Sequence, residues 1–251
     1  SNGQTDGWYV MDRNLGATDA TIGGGYETYG LYYQWGRKDP FIGSTKGERL
    51  RNADTGDWDI LYEVLGEPLT VTNEKYAQAK WTSAPTTKET GSIEYADANP
   101  MHFMYAEATA NQANWLAAGN FNKWMDCDQA MWRPFQKTNA DPCPSGYQVP
   151  RNGMWNNVAY QYQFIEGKGI IFTNSTGKEV WYPFAGYRSS HPSDQGALIE
   201  IESKNGWLAI WSSELMVSER SYAFKYNDPV VFPNSDGAWG YGYNVRCVAA
   251  Y

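Results

Sequence analysis

Two histidines, three cysteines and several close pairs of carboxylates are the side chains of this 251-residue sequence that could carry chemistry. Ser189, Ser190, His191 and Asp194 supply the residue types of a nucleophilic triad. Triad members converge from distant parts of a fold, and four neighbours in one turn do not meet that geometry. The expectation for His191 is therefore a hydrogen-bonded loop histidine. His102, between Met101 and Phe103, reads as a hydrogen-bonded core residue. No GxSxG, HExxH or phosphate-cradling glycine loop occurs, and Gly23-Gly24-Gly25, without a following Lys-Ser/Thr, reads as a turn.

The carboxylate pairs are Asp126 with Asp128, Glu200 with Glu202, and Glu214 with Glu219. Glycoside hydrolysis needs two carboxyls facing each other across a cleft; solvated surface charge is the expectation here. Asn227-Asp228 and Asn234-Ser235-Asp236 are oxygen-rich enough to offer hard ligands to calcium. Cys127, Cys143 and Cys247 lack CxxC spacing and a nearby histidine, which argues against zinc. They allow one disulfide with one free thiol, or three buried thiols.

The elements that would position these residues are strands and loops. Aromatic residues make up 16% of the chain, with 12 Trp and 19 Tyr, and 25 glycines supply turn positions, a mix that favours β structure over helix bundles. The formal charge of −8 repels nucleic-acid phosphates and anionic lipid, so nucleic acid is excluded as a partner. No apolar run reaches membrane-spanning length. Ser1 is not followed by a basic and then apolar signal segment, which decides nothing about export.

Along the chain, GWYVMDRNLGA reads as a short strand with a turn at Asn14 and Gly16, and most rings of YGLYYQW belong to a core. Residues 42–142 have the weakest pattern and read as long loops with short helices, one at Glu74 to Lys80. Trp155, Val158, Tyr162 and Ile165 recur at helical spacing after Asn152, predicting an amphipathic helix. Ile170 to Thr173 and Glu179 to Phe184 flank Asn-Ser-Thr-Gly as a hairpin. WLAIWSS and SYAFKYN are strand-like; in the second, Tyr222, Phe224 and Tyr226 share a face opposite Ala223 and Lys225. In the closing strand Val245, Cys247 and Ala249 alternate with Asn244 and Arg246, so Cys247 points inward, and the N-terminal strand is a plausible partner that stops the chain end from fraying. The sum is one α+β domain spanning 1–251, mostly antiparallel, with one or two helices and a loop-rich insertion at 42–142.

WYVMDRNLGAT, YGLYYQWGRKDPF, NPMHF, DPCPSGYQVP, WYPFAGYR, IWSSE and YNVRCV, in that order from Trp8 to Val248, resemble the Fibrobacter succinogenes major paralogous domain family of Bacteroidetes surface proteins. The resemblance implies a C-type lectin-like fold, in which the N- and C-terminal strands pair and long loops build a ligand-facing surface. It implies that Cys143, in the CP-G motif, pairs with Cys247 and leaves Cys127 free, although Cys127 competes for either partner. It implies an exported, cell-surface or outer-membrane-anchored adhesin, part of a lipoprotein or a fimbrial or pilus tip, whose partners are surface glycans, proteins or other fimbrial subunits. Many lectins of that fold use calcium, but the Glu-Pro-Asn or Gln-Pro-Asp triplet is missing, so no cofactor is expected. The fold also serves formylglycine-generating enzymes, whose copper chemistry needs a cysteine pair; a disulfide at Cys247 would consume it.

The aromatic excess points to binding, because flat rings stack on the C–H faces of sugars and anchor protein partners. Most rings must be core. The expected ligand-binding subset is Trp207, after Asn205-Gly206, with Trp239 and Tyr241 in glycine-rich turns, and the polar neighbours Arg188, Glu214 and Arg220. Trp211 is expected in the core. The resulting expectation is a non-catalytic binding or adhesion domain; a glycan-acting enzyme and a structural tip or spacer are the alternatives.

Overall fold

The computed structural model describes residues 9–41, 50–51, 58–59, 61–62, 68–69, 82–107, 114–117, 131–156, 162–173, 177–196, 198–199, 206–217, 219–227 and 229–250. The described fold is β-rich, with very little helix. Its centre is a seven-stranded sheet in the order Leu198–Ile199, Tyr187–Arg188, Gly242–Asn244, Trp207–Val217, Arg220–Asn227, Val230–Ala238, with Tyr32–Gln34 also paired to Gly242–Asn244. The three long strands form a meander, Trp207–Val217 on Arg220–Asn227 and that strand on Val230–Ala238, both antiparallel. A separate sheet places Gly169–Thr173 between Tyr162–Ile165 and Glu179–Pro183.

Alternation along the meander explains how two cores share one sheet. Leu208, Ile210, Phe224 and Tyr226 face a cluster with Trp155, Ile170, Phe172, Tyr182 and Phe184, beneath the three-stranded sheet. Ala209, Trp211 and Ala223 face the opposite way, into a cluster with Trp35, Trp115, Trp132, Trp239 and Tyr243. Buried indoles need a partner for N–H. Trp35 donates to the Ser212 carbonyl at 2.7 Å, Trp211 to the Tyr33 carbonyl at 2.7 Å, Trp115 to the Trp35 carbonyl at 2.8 Å, and Trp239 to Ser221 Oγ at 2.8 Å.

The two ends of the described chain are tied together. Val10 bridges Val248 antiparallel, Met11 N donates to the Cys247 carbonyl at 2.9 Å, and Leu15 N donates to the Val245 carbonyl at 2.8 Å. Val248–Ala249 pairs on its other side with Tyr147–Gln148. Cys143 and Cys247 form a disulfide across a sequence separation of 104 residues. Asp141 shapes the loop that brings Cys143 there: one carboxylate oxygen accepts from Cys143 N at 2.8 Å and the other from Val149 N at 2.9 Å. The closing strand expected from Tyr243 to Val248 is not continuous: residues 245–247 are not strand and link Gly242–Asn244 to Val248–Ala249, and the expected polar positions Asn244 and Arg246 are buried too. Arg246, fully buried, donates to Asn14 Oδ1 at 3.0 Å and to the Trp181 carbonyl at 2.7 Å, and lies 4.1 Å from the Tyr182 ring centroid.

Trp207–Val217, Arg220–Asn227, the hairpin from Gly169 to Pro183 and the turn at Gly16 fall where the sequence places them, whereas the third meander strand, Val230–Ala238, was not expected and takes in the oxygen-rich Asn234-Ser235-Asp236. The amphipathic helix after Asn152 does not form as expected. Residues 152–156 are turns and Tyr162–Ile165 is a strand, because its β-forming residues pair with Gly169–Thr173 and that tertiary pairing overrides a local period. Within 42–142 the described helix is Ile93–Ala98, capped by Ser92, whose side chain accepts from Tyr95 N. It joins Thr82–Thr86 to His102–Ala106, which pair in parallel. This segment supplies core as well as loops, since Phe103, Met104, Trp115, Met131 and Trp132 are buried. The expected helix at 74–80, together with Cys127, Asp126, Asp128, Glu200 and Glu202, lies outside the described residues.

Candidate functional site

At the end of the central sheet where Trp207–Val217 begins, the second core surfaces as a half-buried ring cluster. Trp207, on the same side of its strand as Ala209 and Trp211, continues the core stripe outward. The turn before it requires glycine: Gly206 has φ +42°, and a Cβ there would run into the Phe184 ring. Tyr187 lies 4.4 Å from Trp207 between centroids and 5.6 Å from Tyr241, edge-on to the latter. Tyr241 stacks on buried Tyr243 at 5.9 Å, and Tyr243 meets Trp207 at 5.6 Å. Tyr187, Trp207 and Tyr241 are each part-exposed, so the cluster reaches the protein surface.

A charged margin borders the rings. Lys225 Nζ lies 5.2 Å from the Tyr243 centroid and 6.0 Å from that of Trp207, and donates to the Asp236 carbonyl. Arg220 forms an ion pair with the Asp236 carboxylate. Burial holds the Lys225 ammonium down to about 8, with Asp236 opposing and Arg220 adding to the shift. Burial also raises the Tyr187 and Tyr241 phenols, reinforced for Tyr187 by Tyr241 and Asp194. All three groups are hydrogen-bonding at neutral pH, and the phenols remain neutral.

Of the residues singled out from the sequence, the structure brings Trp207, Tyr241 and Arg220 into this one region. Glu214 is seven residues up the strand from Trp207, roughly 20 Å away at strand rise, beside Arg151. Its carboxyl is raised by burial, with Arg151 opposing. Two expectations of exposure are corrected. Trp239 is fully buried and stacked on Trp35 at 4.9 Å, because the glycine-rich turn around it folds inward. Arg188 is fully buried, donating to the Gly196 carbonyl at 2.7 Å and lying 6.0 Å from the Tyr32 ring centroid. Trp211 is core, as expected.

Sequence reasoning missed Tyr187 and Lys225, and weighed Asp236 only as a calcium ligand. The signal for Lys225 was present: alternation in SYAFKYN sets it opposite Phe224 and Tyr226, hence on the side of Trp207. Asp236, considered as a calcium ligand, is instead engaged by Arg220. Among the described residues no group of three or more metal-ligating side chains comes together.

The histidine stretch makes no triad. Ser189 Oγ donates to Asp194 Oδ2 at 2.6 Å, while His191 Nδ1 pairs with Ser193 Oγ at 2.7 Å, so the ring and the serine are held by different partners. His102 Nδ1 pairs with the Tyr95 hydroxyl at 2.9 Å. Compared with known protein families, curated proteins and solved structures, the chain matches none.

Proposed function

We propose that this chain is a non-catalytic binding domain displayed at the cell surface, of C-type lectin-like architecture, within a lipoprotein or a fimbrial or pilus tip. Its ligand surface is the ring cluster Tyr187, Trp207 and Tyr241 with its Lys225, Arg220 and Asp236 margin. The observation that carries this reading is the part-exposed, mutually braced set of rings next to hydrogen-bonding groups of both signs. Rings fixed by neighbours bind with little ordering cost, and the polar margin orients what stacks on them. A glycan suits this chemistry best: C–H faces meet the rings and hydroxyls meet Lys225 and Asp236. The disulfide supports export, since such bonds persist in oxidising compartments. The joined chain ends support the architecture.

A glycan array and a panel of immobilised surface proteins, probed with the wild type, Trp207→Ala and Tyr187→Ala, test the proposal. Glycan binding that falls about tenfold or more in both variants is the expected result. Undiminished glycan binding by both variants, binding confined to proteins, or release of a glycan product overturns it.

A further inference from the structure

The open face of the central sheet does not end at the ring cluster. Trp207 pairs with Asn227 on the neighbouring strand, and Asn227 pairs in turn with Val230 on the edge strand Val230–Ala238. In the next row Lys225 pairs with Phe232. Directly paired residues project to the same side of a sheet, so Asn227, Lys225, Val230 and Phe232 continue the face that carries Trp207. Asn227 is exposed, and Val230 and Phe232 are 45% and 43% exposed. Val231, between the last two, points the other way into the sealed core.

Two strand spacings, roughly 10 Å, separate Trp207 from the edge strand. That span is wider than a single sugar ring, and its chemistry changes along it. An indole comes first, then the Asn227 amide beside the Lys225 ammonium, then the apolar side chains of Val230 and Phe232. The amide both donates and accepts, as hydroxyls do, and the far end offers apolar surface to a C–H face.

The edge strand decides how a partner approaches. It carries an extra residue between Phe232 and Ser235, whose partners Lys225 and Ala223 are only two positions apart. It also contains Pro233, which has no N–H to donate. A bulge and a proline both oppose the addition of a peptide as a further strand. A partner is therefore received on the face, through rings and amides, and not through a backbone ladder along the edge.

We infer that this face takes a linear oligosaccharide and not a lone sugar: one sugar ring stacks at Trp207, hydroxyls of the next engage Asn227, and a further ring lies against Phe232 and Val230. The inference rests on the glycan reading of the ring cluster and adds to it the length of the ligand and the residues that measure that length. Cello-, manno- and chito-oligosaccharide ladders, from monosaccharide to hexasaccharide, and the matching fragments of the strongest array binder are titrated calorimetrically into the full chain. In the ladder that binds, affinity climbs about tenfold or more from the shortest to the longer members. Phe232→Ala and Asn227→Ala, both at exposed positions, each bring the longer members down about tenfold and leave the shortest binding member unchanged. Phe232→Tyr, which keeps the ring, restores the length dependence. Trp207→Ala weakens every length. Affinity that does not grow with length, or wild-type binding of the longest member by both Phe232→Ala and Asn227→Ala, overturns the inference while the ring cluster stands. Trp207→Ala without effect at any length, or no glycan bound by the wild type, overturns the ring-cluster reading and this inference with it.

Discussion

The two sides of the central sheet are both aromatic, yet only one is closed. Phe224 and Tyr226 lie under the sheet formed by Tyr162–Ile165, Gly169–Thr173 and Glu179–Pro183, in a cluster of rings from Trp155 to Phe184. On the other side the stripe Trp211, Ala209, Trp207 runs from full burial to part exposure, and Tyr187 and Tyr241 accompany its outer end. Ring chemistry is the same on both sides; what differs is the cover. A sealed ring contributes to stability through packing, whereas a ring braced on one side keeps a face for a partner. The buried amine of Lys225 sits at the open margin, where its donors can be reused.

Removing the tie between the chain ends should have the largest effect. The Cys143→Ser, Cys247→Ser double variant frees a loop closed across a 104-residue separation, and the chain-entropy account gives a loss of up to about 4–5 kcal/mol. Denaturant unfolding measures it; a loss below about 1 kcal/mol would mean that the backbone bonds of Met11 to Cys247 and of Leu15 to Val245 suffice alone.

Next comes the direct contrast between the sides. Phe224→Ala should cost about 3–5 kcal/mol, as expected for emptying a sealed aromatic site. Trp207→Ala should cost about 1–2 kcal/mol, since part of that ring is already in water. Equal costs would erase the distinction between a closed and an open side.

The smallest effect is a pH dependence. Below about pH 8 both folded and unfolded chains carry the Lys225 proton, and the cost of burying the ammonium stands in full. Between about 8 and the ordinary 10.5 the folded chain releases it first, so this residue's contribution to stability rises with pH. Wild type should therefore gain roughly 1–2 kcal/mol over Lys225→Met between about pH 7.5 and 9.5, read from paired unfolding curves. A parallel pair of curves would contradict the assigned burial.

Much of this contrast was legible in the sequence. Two of the three meander strands, Trp207–Val217 and Arg220–Asn227, were legible as strand-like runs, the hairpin follows from turn residues between apolar runs, and Val230–Ala238 was hidden by its Pro-Asn-Ser-Asp-Gly turn residues. Cys247 is buried as expected, but not by alternation: residues 245–247 are not in a strand, and Asn244 and Arg246 are buried alongside Val245 and Cys247. Tyr162–Ile165 misled because four residues in the chain happened to fall at helical spacing, while the deciding interaction, pairing with Gly169–Thr173, is not local. The helix Ile93–Ala98 was too short to show a period. Trp239 and Arg188 were read as exposed from neighbouring turn residues, but burial is set by what packs across them, namely Trp35 and the Gly196 carbonyl. Tyr187 entered the cluster only through the pairing of its strand with Gly242–Asn244, which no local pattern encodes.

The most direct test is an indole NMR titration with the glycan that binds best on the array. The account predicts that the Trp207 signal shifts and broadens while those of Trp35, Trp211 and Trp239 stay in place. Saturating binding that leaves Trp207 unmoved would contradict it.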